Sequence, residues 1–473
     1  METLKREYLG DLLKEKGKHD TGKALDVLPF LSKRPKIIRE HFNKALGEYI
    51  RNITGVKIDE KSLKNKDFYL GSEENVLSEY IANEIDFQNE DDKYDFIRFL
   101  NQYLFNQEDI KPIHPYLFNY IKIDKNFKNE LGKYAQFMYE VLVNDNLEIN
   151  NLFNNKDSED ILTELILSKM DLLNKNDHKA SVNNNHQYQP LLTAFVNLYQ
   201  EDLIYLSKYK DYFLASFPLL THYYVFMYAC QILLKFEQFT EADYDHVQPL
   251  YFALEWESIS KRRKAADEIE GFRYVKGKAI NLFPHIHTIS QLSHNSFNND
   301  SLLEYDFVQI IPYSSLYKLI QEKGEVFEKD FLNEIKQWIK DYCLIRKIEI
   351  NDESTNIPEA FRVLFNCLKE GMSTGVCEKY GGNIEDLGSS HFIKNRGNLG
   401  QILNIKHDFL LLLTAVCVKD KRLPLNDLFV EFEKRGVAFD RYSKKEVISL
   451  LDNHNILDKK SDSGDAHYVK PIL

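Results

Sequence analysis

Apolar residues recur at helical spacing along most of the chain. Residues 94–105 carry Phe96, Ile97, Phe99, Leu100, Tyr103 and Leu104, and residues 160–173 carry Leu162, Leu165, Ile166, Met170 and Leu173. The pattern becomes denser from residue 190, where 191–206 and 212–236 predict two well-buried helices, and it returns at 328–343 and 358–370. Strand signals are few. Residues 251–256 suit a strand or a helix, and 305–312 suit a short strand. Asparagines around 144–155 predict a loop or a weakly ordered connection, the polar stretch 174–186 predicts a linker, and the glycine-containing stretch 378–390 predicts a second boundary. The expected organisation is mainly α and multidomain. A helical N-terminal domain spans 1–173, a linker 174–189, a central mainly helical domain 190–395, and a C-terminal module 396–473.

That module has the clearest local order. Residues 408–418 form one apolar helix pattern. A second covers 425–435, with Pro424 ahead of it and Gly436 just beyond. Ser443 and Glu446 have the spacing of a capping box at the start of a third helix, whose apolar stripe is Val447, Ile448, Leu450 and Leu451. Residues 456–460 and 467–472 read as two strands, joined by a turn containing Gly464. Three helices followed by a hairpin is the order of a winged helix-turn-helix, in which the third helix commonly enters the DNA major groove. Arg441, Lys444 and Lys445 lie in its first turns, and Lys459 and Lys460 at the base of the hairpin, as candidate DNA contacts. Asp462 and Asp465 at the wing tip oppose phosphate, so docking on a protein is the competing use of the same module.

Composition adds limits. The chain has 473 residues, 43% hydrophobic and 28% charged, with a net charge of −12, which is ordinary for a globular protein. Residues 1–65 hold 15 basic and 10 acidic side chains, residues 66–400 hold 34 and 52, and residues 401–473 hold 12 and 11. The acidic middle repels a phosphate backbone, which leaves the two ends as the candidates for one. Five cysteines (Cys230, Cys343, Cys367, Cys377 and Cys417) form no Cys-x-x-Cys pair, so reduced thiols in a cytoplasmic setting are expected. The first twenty residues lack the apolar core of a secretory signal. The stretch 212–234 is uncharged and long enough to cross a bilayer. Pro218, His222, Gln231 and its tyrosines favour a buried core helix, and no membrane partner is expected.

Several constellations could carry chemistry, and each has a plainer reading. Gly371-Met372-Ser373-Thr374-Gly375 matches a nucleophile elbow, but it follows a helix rather than a strand, so Gly371 reads as a helix terminator. His285, His287 and His294 could ligate a metal. No carboxylate accompanies them, and Pro284 suggests a loop of packing histidines. Glu241, Asp243 and Asp245 with His246 resemble a nuclease cluster, or else a helix start capped by Thr240. Glu334 and Lys336 have a nuclease-like spacing within a helical pattern. The basic run Lys261, Arg262, Arg263 and Lys264 reads as a phosphate grip or a solvated face. Gly17-Lys18 is followed by His19, so no phosphate-binding loop is present, and the dinucleotide fingerprint is missing. No cofactor is expected.

The segments Phe429-Val430-Glu431-Phe432-Glu433-Lys434-Arg435-Gly436, Lys459-Lys460-Ser461-Asp462-Ser463-Gly464-Asp465-Ala466 and Leu254-Glu255-Trp256-Glu257-Ser258-Ile259-Ser260-Lys261 resemble the DptG family of DNA phosphorothioation-dependent restriction proteins. The resemblance covers about a fifth of the chain and implies a role in bacterial defence against phage. Partners would be a P-loop ATPase and a helicase-like subunit, and the target double-stranded DNA without a sulfur-modified backbone. The family's role in that set carries no recognised catalytic motif, so no catalytic residue transfers to this chain. The expected function is a non-catalytic, DNA-associated scaffold. The alternatives are a divergent metal-dependent nuclease built on Asp243, Asp245, His285 and His287, and a stand-alone transcription regulator.

Overall fold

The computed structural model describes residues 3–58, 76–106, 109–158, 160–170, 173–175, 186–258, 270–298, 307–459 and 467–473. Among the described residues the protein is mainly helical, at 65%. In chain order the helices are α1 (Arg6–Lys16), α2 (Ile38–Thr54), α3 (Val76–Asn83), α4 (Glu90–Leu104), α5 (Lys128–Phe137), α6 (Leu147–Asn154), α7 (Ile161–Lys169), α8 (Thr193–Ser207) and α9 (Lys210–Glu237). They continue with α10 (Phe272–Lys278), α11 (Leu282–Ser293), α12 (Tyr313–Glu322), α13 (Glu325–Arg346), α14 (Ile357–Gly371), α15 (Thr374–Gly388), α16 (His407–Val418), α17 (Leu425–Lys434) and α18 (Arg441–Asn453). The strands are β1 (Val56–Ile58), β2 (Phe105–Asn106), β3 (Asp109–Ile110), β4 (Leu173–Lys175), β5 (Leu250–Tyr251), β6 (Ala253–Leu254), β7 (Ile393–Asn395), β8 (Gln401–Ile405), β9 (Leu423–Pro424), β10 (Val437–Ala438), β11 (Leu457–Lys459) and β12 (His467–Val469).

The chain forms two compact units. One comprises residues 41–183 and 200–221, the other residues 1–40, 184–199 and 222–473. In the smaller unit, Leu77 and Ile81 of α3, Leu100 and Leu104 of α4, and Ile166 and Leu167 of α7 share a core with Leu117 and Tyr120. Arg51 is buried in the same unit. It donates to the carbonyls of Asn119 and Ile121 at 2.7 Å each and to Glu48 at 2.7 Å, so its charge is paired rather than stranded. Of the asparagines at 144–155, Asn150, Asn151 and Asn154 belong to helix α6, while Asn144 and Asn146 lie in the turn that precedes it. Asn146 caps α6 by accepting from the amides of Glu148 and Ile149, while Ile149 and Phe153, one turn apart, are buried. Capping and the buried stripe outweigh the low helix preference of asparagine.

The larger unit is built around tightly satisfied polar groups. Asp386 of α15 is fully buried. It accepts from Arg34 Nε at 2.7 Å and Nη2 at 2.9 Å, and from Arg39 Nε at 2.6 Å. Residues 378–388 are therefore helical, with a turn at 389–390, and no division between the two units falls in this stretch. Its glycines serve close packing, because a Cβ on Gly381 would lie 2.1 Å from the Ala279 carbonyl oxygen. The uncharged stretch 212–234 forms most of α9. Among the described residues, α9 is the one helix long and apolar enough to span a membrane, and 89% of its apolar window is buried.

Other local expectations change in the structure. Pro284 lies in helix α11, and His285 and His287 are buried on it rather than set in a loop. Thr240 caps no helix: residues 239–241 form a single 3-10 turn, followed by irregular chain up to β5. Within 305–312, the described residues make one isolated bridge, Val308 with Ala24, and no strand. Ser443 lies one turn inside α18, whose cap is Asp440. Gly371 ends α14, as expected, and Ser373 precedes α15.

Candidate nucleic-acid or partner interface

The last 70 residues follow the order α16, β9, α17, β10, α18, β11, β12. The antiparallel sheet runs β11–β12–β9, with Leu457 opposite Val469, and Val469 opposite Leu423. Helix α17 ends at Lys434 and is followed, after Arg435, by Gly436, whose φ is +87° and where a Cβ would lie 2.8 Å from Met227 Sδ. The chain then enters β10, which pairs in parallel with β5 so that Ala438 lies opposite Tyr251. Arg435, in the segment that carries the family resemblance, faces inward. It is fully buried, its guanidinium is bonded to Glu431 at 3.0 Å, and its carbonyl accepts from Tyr223.

Asp440 starts α18 by accepting from the amides of Tyr442 at 2.9 Å and Ser443 at 2.8 Å. Ser443 turns inward and donates to buried Glu257 at 3.1 Å. That anchor faces Arg441, Tyr442 and Lys445 outward, and all three are exposed. Lys444 is half-buried, with Nζ 4.9 Å above the Phe429 ring and 4.0 Å from a Glu433 carboxylate oxygen. Arg441, Lys444, Lys445 and Ile448 follow the i, i+3, i+4, i+7 spacing of one helix face. With Tyr251, Phe439 and Asp440 they line an open depression of about 550 Å³. Burial pushes the Tyr251 hydroxyl pKa up, and the negative charges of Glu270, Glu433 and Asp440 push it further. The three cations thus stand beside carboxylates that weaken their field.

Lys459 pairs through its backbone with His467 at the base of the β11–β12 ladder, while Lys460 lies outside the described residues. Sequence reasoning missed Tyr251, which reaches the depression through the parallel β5–β10 pairing of distant segments. It also missed Arg422, a mostly exposed side chain beside β9 that pairs with Asp458 at 3.0 Å. The run Lys419, Lys421 and Arg422 was the available signal for the latter.

The alternative residues are dispersed. Asp243 is exposed, and it accepts from the Asp245 amide and from His246 Nδ1 at 2.7 Å. Those two bonds hold its carboxyl below the usual range. Among the described residues, neither Asp243 nor Asp245 shares a hydrogen bond with His285 or His287. No three His, Cys, Asp or Glu side chains there are grouped to hold a metal ion.

His285 instead joins an internal network. Its Nε2 is 3.3 Å from Glu237 and its Nδ1 3.2 Å from the Tyr313 hydroxyl, and its ring stacks on Phe365. Burial raises the Glu237 carboxyl pKa, but the bonds from His285, Lys278 and Asn281 outweigh it and hold the group at about 2. Burial lowers the His287 imidazole to about 4, against the opposing pull of Asp20. Glu334 bonds Arg6 at 2.6 Å and Lys336 donates to the Ser354 carbonyl, so this pair is used in packing. The basic run at 261–264 lies outside the described residues.

Compared with protein-family models and with curated proteins, the chain matches none.

Proposed function

We propose that the chain is a non-catalytic docking subunit of a bacterial DNA-restriction complex of the phosphorothioation-dependent kind. In this reading residues 396–473 act as a winged helix, and α18 lies against double-stranded DNA. The observation that carries the reading is the arrangement at α18. A helix preceded by two others and followed by a small antiparallel sheet presents Arg441, Lys444 and Lys445 on one accessible face. Cations spaced along a helix face suit successive phosphates, while Ser443, Val447 and Leu451 fix the opposite face to the interior.

The neighbouring Glu433 and Asp440 limit affinity, so DNA contact is modest and salt-sensitive, and a second anchor on partner subunits completes the assembly. The P-loop ATPase and the helicase-like subunit are proposed on the family resemblance, as are the cytoplasmic setting and the action against unmodified DNA. The mechanism is assembly: this chain holds motor and cleavage partners on the duplex and supplies no reacting group.

The test is recovery of the tagged full chain from its native cells, with identification of what accompanies it. Co-purifying P-loop ATPase and helicase-like chains are expected. Recovery of the chain alone, or with nucleic acid only, overturns the complex.

A further inference from the structure

His407 is the first residue of α16, and His454 is the residue that caps the end of α18. They are 47 residues apart in sequence, both are exposed, and their Nε2 atoms lie 3.0 Å apart. The ring centroids are 5.0 Å apart with planes inclined at 51°, so the imidazoles converge at their tips and are not stacked face to face. The backbone fixes both ends of the pair. Parallel pairing of β6 with β8 sets Leu254 opposite Ile405 and brings Trp256 beside His407, with ring centroids 5.8 Å apart. The amide of Ile456 returns to the Leu451 carbonyl at 2.8 Å and holds the chain just after His454.

We propose that His407 and His454 form a surface binding site for a late first-row divalent ion, with Cu2+ bound most tightly and Zn2+ or Ni2+ less so. Imidazole nitrogens bind such ions at about 2.0–2.1 Å, so two neighbouring ligand atoms sit about 2.9–3.4 Å apart. The observed 3.0 Å falls within that span before any side chain moves.

Without metal, one ring uses its Nε2–H to bond the other ring's Nε2. On binding, that ring shifts its proton to Nδ1, and both Nε2 lone pairs face the ion with no net proton released. Two protein ligands leave the remaining positions to water or to an acidic group from a partner. The ion would tie the start of α16 to the end of α18, at the opposite end of α18 from Arg441. The site therefore stands or falls independently of DNA binding.

Trp256 makes the site readable, because a bound Cu2+ quenches a neighbouring indole. The experiment titrates the full chain with Cu2+ alone, followed by tryptophan emission and by electron paramagnetic resonance. One saturable equivalent is expected, with a two-nitrogen resonance signature and loss of Trp256 emission. A rise in thermal midpoint should accompany it, since the ion binds only the folded arrangement. Both signals should be lost in the H407Q/H454Q chain. In W256F the quenching should disappear while the resonance signature remains. Cu2+ binding that is undiminished in H407Q/H454Q, or absent from the parent chain, overturns the proposal. Unchanged folding of H407Q/H454Q by circular dichroism keeps that outcome decisive.

Discussion

At the scale of single residues, the buried charges explain why several promising side chains are structural. Glu237 illustrates the balance. Isolated in the interior, its carboxylate would be neutral, yet Lys278, Asn281 and His285 surround it and keep it ionised down to about pH 2. Its folded pKa lies below the ordinary value of 4.5. Its contribution to stability is therefore full above that value and is lost as pH falls toward 2. We expect Glu237→Gln to be less stable than the parent chain near neutrality, and the gap to close across this acid window. Urea midpoints measured through the window check this, and a gap independent of pH contradicts it. From sequence His285 reads as a surface or packing histidine, and the structure buries it in packing, but its partners were not legible. Its partners Glu237 and Tyr313 lie 48 and 28 residues away, and no spacing rule links them.

At the scale of elements, the helices expected from apolar spacing are present where both faces of the pattern are clear, as in α4, α9, α14 and α17. The failures share one cause: local residue preference was read without the packing that overrides it. Asn150, Asn151 and Asn154 sit in a helix because Ile149 and Phe153 anchor it. Gly381 sits in α15 because that helix runs against backbone at Ala279. The second case gives a test with opposed magnitudes. Helix preference alone favours alanine over glycine by about 1 kcal/mol, whereas forcing a methyl into packed backbone costs about 1–3 kcal/mol. We expect Gly381→Ala to lower the denaturation midpoint. Gly132→Ala in α5, where a Cβ meets nothing within 4 Å, should leave it unchanged or raise it. Equal shifts for the two variants would remove the close-packing account of α15. The third helix of the last module was legible, but its start was not. The Ser443–Glu446 spacing imitated a cap, while Asp440 makes the bonds and Ser443 is committed to Glu257, a partner 186 residues away.

At the scale of the whole molecule, the larger unit gathers three separate stretches of chain; the polar stretch 174–186 contains the join at 183/184, but no composition shift marks those near residues 40, 199 and 221. Charge distribution pointed to the two ends of the chain as the places free of a repelling field, and the cationic face of α18 lies at one of them. What sequence could not supply was the setting of that face: Tyr251 and Phe439 flooring the depression, and Glu433 and Asp440 beside its lysines. We therefore propose α18 as a moderate, electrostatic contact within a larger assembly. The measurement that tests this most directly is the affinity of the full chain for double-stranded DNA over a series of salt concentrations, compared with R441E/K444E/K445E. Each phosphate contact adds about 0.9 to the slope of log affinity against log salt, so loss of three should flatten it by about two to three. We expect the variant to fold as the parent chain does, to bind much more weakly and to lose that slope. Equal affinity and equal slope for the two chains would contradict the claim that α18 docks on DNA.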